Sequence, residues 1–138
     1  MSTAREIMTP EAECVNAEET VQDAAEKMAR LDVGALPICG TDDRLKGMIT
    51  DRDIVVKVLA QGKEPRSCKA GELAQGEAVT IGADDDAREI LNTMASHKVR
   101  RLPVIDGHRL VGMVALADVA QALPDASVGD LVSTLTTD

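Results

Sequence analysis

Two residues three apart, Thr50 and Asp53, carry the first chemistry visible in the chain. They close the run Leu45-Lys-Gly-Met-Ile-Thr-Asp-Arg-Asp53, where a short apolar strand pattern gives way to apolar residues at helical spacing (Ile54, Val55, Val58, Leu59). A hydroxyl, a carboxylate and the free N–H groups of a helix start can converge there on a bound polar molecule. The same pair also fits a local role, with Thr50 as N-cap and Asp53 at the third helical position of a capping-box variant. A second run, Leu110-Val-Gly-Met-Val-Ala-Leu-Ala-Asp118, repeats the strand, turn and helix. It keeps Asp118 but has Ala115 in the hydroxyl position.

Two other groups can do chemistry. His97, Lys98, Arg100 and Arg101 gather positive charge in one short stretch of an acidic protein. Arginine forms bidentate, charge-assisted bonds to phosphate, although a charged run also serves as a plain solvated loop. Cys14 and Cys39 fall on two strands joined by a helix, and such strands are usually parallel and often adjacent. With His97 or His108 and Cys68 they offer ligands for a zinc or redox site. No C-x-x-C or H-x-x-x-H spacing accompanies them, and a buried cysteine commonly acts as a small apolar residue. No Ser/His/Asp or Cys/His nucleophilic set suggests itself, so an enzyme is not expected.

The elements that hold these residues are written twice. Aligning Pro37 with Pro103 sets an offset of 66 that runs back to the start of the chain. Ala4-Arg-Glu-Ile7 then pairs with Ala70-Gly-Glu-Leu73, and Val21, Ala24, Ala25, Met28 pair with Ala87, Ile90, Leu91, Met94. Beyond the prolines the offset falls to 65, because the first copy carries one extra residue in the turn Gly40–Arg44. Each copy is expected to open with a lead-in helical turn (Arg5–Met8; Glu72–Ala74) and a brief strand (Glu13–Asn16; Ala78–Ile81). A helix follows, capped by Thr20 with Asp23 or by Asp86 with Glu89. Leu36–Cys39 and Leu102–Ile105 then form strands that return by hairpin into the Gly-Met strands, and a last helix ends at Gly62 or before Pro124. The expected unit is β-α-β-β-α. The divisions are residues 1–62 for the first repeat with its lead-in, 63–71 for a polar linker, 72–124 for the second repeat, and 125–138 for a tail. In that tail Val128-Gly-Asp-Leu131 echoes the lead-in turn once more.

A repeat of ~50 residues buries too little apolar surface to stand comfortably alone. Two copies about a pseudo-twofold axis can cover each other and leave two symmetry-related clefts, which gives an α+β fold class. The 138 residues contain no Phe, Tyr or Trp, so the core is aliphatic and methionine-rich, and a nucleobase would rest on aliphatic side chains. A net charge of −9 argues against nucleic acid and anionic membranes as partners. The longest uncharged apolar stretch, Leu110 to Ala117, is far short of the ~20 residues of a membrane span. Three cysteines without a secretory signal suit a reduced cytoplasm.

The repeated Leu-Pro-h-h (36–39, 102–105) and Gly-h-h-x-x-x-Asp (47–53, 112–118) motifs, with h apolar, resemble those of a tandem cystathionine-β-synthase-type (CBS) domain pair, or Bateman module. The resemblance runs from about Arg5 to Leu123. Val33-Gly-Ala-Leu-Pro-Ile-Cys39 and Thr50–Asp53 are most similar to the free-standing hypoxic-response type of actinobacteria. It implies a non-enzymatic sensor that needs no cofactor, binds AMP, ATP or another adenosyl compound, and signals to a protein partner it does not identify. It further implies ribose held by Thr50 and Asp53, phosphate held by Arg100 and Arg101, and a composite cleft built from those two halves. Asp118 marks the poorer cleft, and adenine is expected against Ile38, Met48, Ile49 or Val15. A homodimer joined through helices is expected, with the apolar helices of copy two (Ala87–Met94, Val119–Leu123) needing cover. The alternative is a metal- or thiol-responsive stress protein that uses Cys14, Cys39 and His97, with a vestigial nucleotide cleft.

Overall fold

The structure is a computed structural model that describes residues 2–10, 12–74, 78–123 and 129. Its element order follows the expected repeat. The first copy comprises β2 (Val15–Asn16), α2 (Val21–Leu31), β3 (Ala35–Cys39), β4 (Leu45–Thr50) and α3 (Asp51–Asp53), which runs on as a π-helix over Ile54–Leu59. The second comprises β5 (Ile81–Gly82), α4 (Ala87–His97), β6 (Arg101–Asp106), β7 (Arg109–Ala115) and α5 (Leu116–Ala122). Before them come α1 (Ala4–Ile7) and a short β1 (Thr9–Pro10), and 3₁₀ turns at Pro65–Ser67 and Ala70–Leu73 lie between the copies. The expected echo at Val128–Leu131 lies outside the described residues, apart from Gly129.

The compact units cut across the sequence repeats. One consists of Met1–Ala12 with Val79–Asp138, the other of Glu13–Ala78. Each lead-in turn therefore packs on the other repeat's elements. Ala4 N–H donates to Asp85 C=O at 2.8 Å and Arg5 N–H to Ala83 C=O at 2.9 Å. In the other unit Ala70 N–H donates to Glu19 C=O at 2.7 Å and Gly71 N–H to Ala17 C=O at 3.0 Å. Ala4 and Ala70 are fully buried in their respective cores. The stretch expected to be a polar linker thus supplies a wall of one core, and Cys68 packs partly against it.

Each unit has its own sheet and its own aliphatic cluster. In the Glu13–Ala78 unit the strand order is β2-β3-β4, with β2 parallel and β4 antiparallel to the central β3. The other sheet is ordered β1-β7-β6-β5. Its edge strand β1, not expected from the sequence, pairs antiparallel with β7, where Pro10 is tolerated because an edge position needs no ladder N–H. Alternation puts Val15, Leu36, Ile38 and Ile49 on one face, where they meet Val21, Ala24 and Met28 of α2. Both α2 and α4 begin as expected: Thr20 and Asp23 exchange reciprocal bonds at 3.0 Å, and Asp86 accepts from Glu89 N–H at 2.9 Å.

The glycine in each Gly-h-h motif marks a close approach. A Cβ at Gly47 would lie 2.9 Å from Ala74 Cβ, and one at Gly112 would lie 2.6 Å from both Met8 Sδ and the Thr9 carbonyl oxygen. The Thr9 carbonyl belongs to the backbone of β1 and cannot swing aside as a side chain can. Gly112→Ala should therefore lower stability by about 1–3 kcal/mol, as overpacking does. Chemical denaturation checks this, and an unchanged midpoint would show that β1 does not sit on β7.

Candidate functional site

The site begins where β4 stops. Thr50 keeps extended backbone angles, and Asp51 opens the helix. Thr50 Oγ1 accepts from Asp53 N–H at 3.0 Å while Asp53 Oδ2 accepts from Thr50 N–H at 3.0 Å. This is the capping box expected of the local reading. It does not exhaust the carboxylate, which offers about four lone-pair sites. Lys57 Nζ lies 3.2 Å from the other oxygen, Oδ1, and the Asp53 side chain keeps 22% of its surface exposed. The second copy has the same turn without the hydroxyl: Ala115 N–H donates to Asp118 Oδ2 at 2.7 Å.

Within each unit, the segment before Leu-Pro lies against this turn. Asp51 N–H donates to Gly34 C=O at 3.0 Å, and Leu116 N–H donates to Arg100 C=O at 2.8 Å. The positions expected to hold phosphate and ribose are therefore neighbours in each unit, yet neither unit fills both. One has Thr50 and Asp53 beside Gly34 and Ala35; the other has Arg100 and Arg101 beside Ala115 and Asp118. His97, Lys98, Arg100 and Arg101 are all exposed. Among the described residues none of these four has a carboxylate within 4.0 Å, whereas Arg30, Arg44, Lys46 and Lys69 each have one and Arg5 has two.

The expected adenine contacts need correction. Val15, Ile38 and Ile49 have no exposed surface, because strand alternation turns them into the cluster under α2. Met48 is the member of that set on the opposite face, paired with Pro37 and only half-buried.

Cys14 and Cys39 do come together. Asn16 pairs with Cys39 and Val15 with Ile38, so alternation places both thiols on the face away from the aliphatic cluster, which contains neither. They are thus not ordinary core filling. The Cys39 thiol donates a hydrogen bond that lowers Cys14 to about 7 against the opposing effect of burial, with help from the nearby Lys27 ammonium. Cys39, as that donor and buried beside the Cys14 charge, is raised well above the usual thiol range. Lys27 Nζ also donates to Cys14 C=O at 2.9 Å. All three cysteines are free, and Cys68 stands apart on the core side. His97 belongs to the other unit, at the end of α4. Among the described residues no three His, Cys, Asp or Glu side chains gather as a metal-ligand set.

Sequence reasoning passed over Lys57 and Lys27. Lys57 was legible, standing four residues after Asp53 on a helix. Lys27 was not, because its role depends on how α2 lies against β2.

Comparison with known proteins places this geometry. A CBS domain model matches residues 4–60 and again 70–125. Hypoxic response protein 1 of Mycobacterium tuberculosis is 50% identical over 135 residues, covering 98% of this chain and 94% of that protein. A crystal structure of Hypoxic Response Protein I with two coordinated zinc ions superposes with a TM-score of 0.83 at 53% identity, covering 89% of this chain and 100% of that one. The fold is also that of CBSX2, solved in complex with AMP, with a TM-score of 0.76 at 23% identity over 88% of this chain and 96% of that one.

The thiol pair yields a direct test. Alkylation of Cys14 should rise with a midpoint at about pH 7. In Cys39→Ala the midpoint should move up toward the ordinary thiol range, because the donor that holds the thiolate is gone. An unmoved midpoint would mean that the two sulfurs do not interact.

Proposed function

Since the chain belongs to the CBS domain family, we propose that it is a non-enzymatic regulatory sensor for an adenosyl nucleotide such as AMP or ATP, acting in the cytoplasm. In this reading Asp53 with Thr50 is the part of one unit suited to ribose hydroxyls, and Arg100 with Arg101 is the part of the other suited to phosphate. The observation that carries it is the division of unused capacity. Asp53 keeps Oδ1 outside its capping bonds, part-exposed and met by Lys57 alone among the described residues, and the two arginines have no acid partner among them. Met48 is the remaining apolar wall for adenine. Among the described residues no helix is long and apolar enough to cross a membrane, and the net charge of −9 disfavours nucleic acid.

Arg101→Ala should weaken AMP by about 1.5–3 kcal/mol, the range for a hydrogen bond to a charged group, and leave adenosine nearly unaffected. Asp53→Ala should weaken both ligands, while Asp118→Ala should leave the main site untouched. Calorimetric titration reads all three. Equal AMP affinity in folded Asp53→Ala and the wild type would sink the assignment.

A second reading has its own support. A relative 53% identical over most of this chain was crystallised with two coordinated zinc ions, and Cys14 with Cys39 forms a polarised thiol pair here. A lowered thiol is what a zinc or redox site needs. Under this reading the chain responds to metal or thiol stress through Cys14 and Cys39, and its nucleotide site is vestigial. Stoichiometric zinc in the purified protein, lost in either Cys14→Ser or Cys39→Ser, would decide for it.

We also propose a homodimer, on a different surface from the one the sequence suggested. The apolar stripes of α4 and α5 are buried in their own unit's cluster and need no further cover. The exposed large apolar residues among those described are Val55, Val56 and Leu59 on the π-helix, 55%, 42% and 53% exposed. Val55→Asp with Leu59→Asp should leave a monomer by light scattering. A wild type already monomeric at micromolar concentration would end this proposal.

A further inference from the structure

Lys57 is the unexplained partner in the ribose site. Its ion pair with Asp53 is the least exposed in the molecule among the described residues, at 33% and 22% for the two side chains. In the other six pairs every side chain is at least 45% exposed. Such protection is not needed to orient the carboxylate. Asp118 adopts the same turn geometry, accepting from Ala115 N–H at 2.7 Å, and its counterpart of Lys57 is Ala122. The lysine therefore does something other than position Asp53. It covers Oδ1, the oxygen that the capping box leaves free, and brings a positive charge to the one copy that retains the threonine hydroxyl.

We propose that Lys57 determines ligand specificity, acting as a built-in counter-ion that biases the Asp53 site toward phosphorylated nucleosides over neutral ones. This rests on the ribose-binding role of Thr50 and Asp53 proposed above. A ribose hydroxyl that donates to Oδ1 must share or displace the ammonium. A neutral nucleoside offers nothing in return for that lost contact. A nucleotide brings an anion within a few ångströms of the ribose, so the loosened ammonium meets a new negative charge at a distance where screening is incomplete. The ion pair thus penalises ribose binding in general, and phosphate relieves the penalty.

The test measures AMP and adenosine affinity for the wild type, Lys57→Met and Lys57→Arg, with Asp53→Ala alongside. Methionine keeps an unbranched stem of similar reach without the charge. In Lys57→Met adenosine should bind more tightly and AMP more weakly, so the AMP-to-adenosine preference should fall roughly three- to tenfold, the scale of a part-exposed charge pair. Lys57→Arg should keep the preference. An unchanged preference in Lys57→Met, or an equal loss for both ligands, would overturn the specificity role. If Asp53→Ala meanwhile weakens both ligands, the nucleotide reading survives that failure. A wild type that binds neither ligand overturns both.

Discussion

The pairing of the two central strands in each unit decides almost everything else. β3 and β4 pair Leu36 with Ile49 and Ile38 with Gly47; β6 and β7 pair Leu102 with Val114 and Val104 with Gly112. In both, the register slips at the same place, between Ile38 and Cys39 and between Val104 and Ile105. A one-residue error would exchange the two faces. With the register as it is, the branched aliphatics fill the clusters and the glycines admit a neighbouring backbone or alanine. The thiols and Met48 are left on the other side. The same pairing carries β4 to Thr50 and β7 to Ala115, where the chain turns into a helix beside the residues that precede Leu-Pro.

The proposed function rests on what each turn leaves unsatisfied. Both turns use one carboxylate oxygen to accept from the backbone N–H at the helix start, which anchors the side chain without consuming it. An anchored, part-exposed carboxylate suits recognition because little conformational entropy remains to be lost on binding. The two copies differ around this shared frame. One has the Thr50 hydroxyl and Lys57, while the other has Ala115 in place of the hydroxyl and carries Arg100 and Arg101. The thiol pair lies apart from the turn, on the reverse of the Glu13–Ala78 sheet.

Much of this was legible in the residues. The offset of 66 located both repeats, the proline and glycine punctuation placed the hairpins, and the Thr/Asp spacings gave the caps. What escaped was whatever depends on non-local placement. The lead-in turns expected at Arg5–Met8 and Glu72–Ala74 were placed with the repeats they precede, because sequence order cannot show which core a short helical turn will join. Ile38 and Ile49 were offered to a ligand because period-2 alternation tells which residues share a face but not which face is covered. The π-helical winding over Ile54–Leu59 left no signal, since its apolar spacing also fits an α-helix. It is there, and not on α4 or α5, that the large apolar side chains remain exposed.

The central claim is that the turn at Thr50 and Asp53 receives an adenosyl nucleotide. The most direct measurement is a titration of isotope-labelled protein with AMP, followed by the backbone amide signals. The amides of Thr50 and Asp53, which form the capping bonds, should shift in a saturable way, while those in the aliphatic clusters stay in place. Saturating AMP that leaves Thr50 and Asp53 unmoved, in a protein whose Cys14 and Cys39 signals respond to zinc, would contradict the claim.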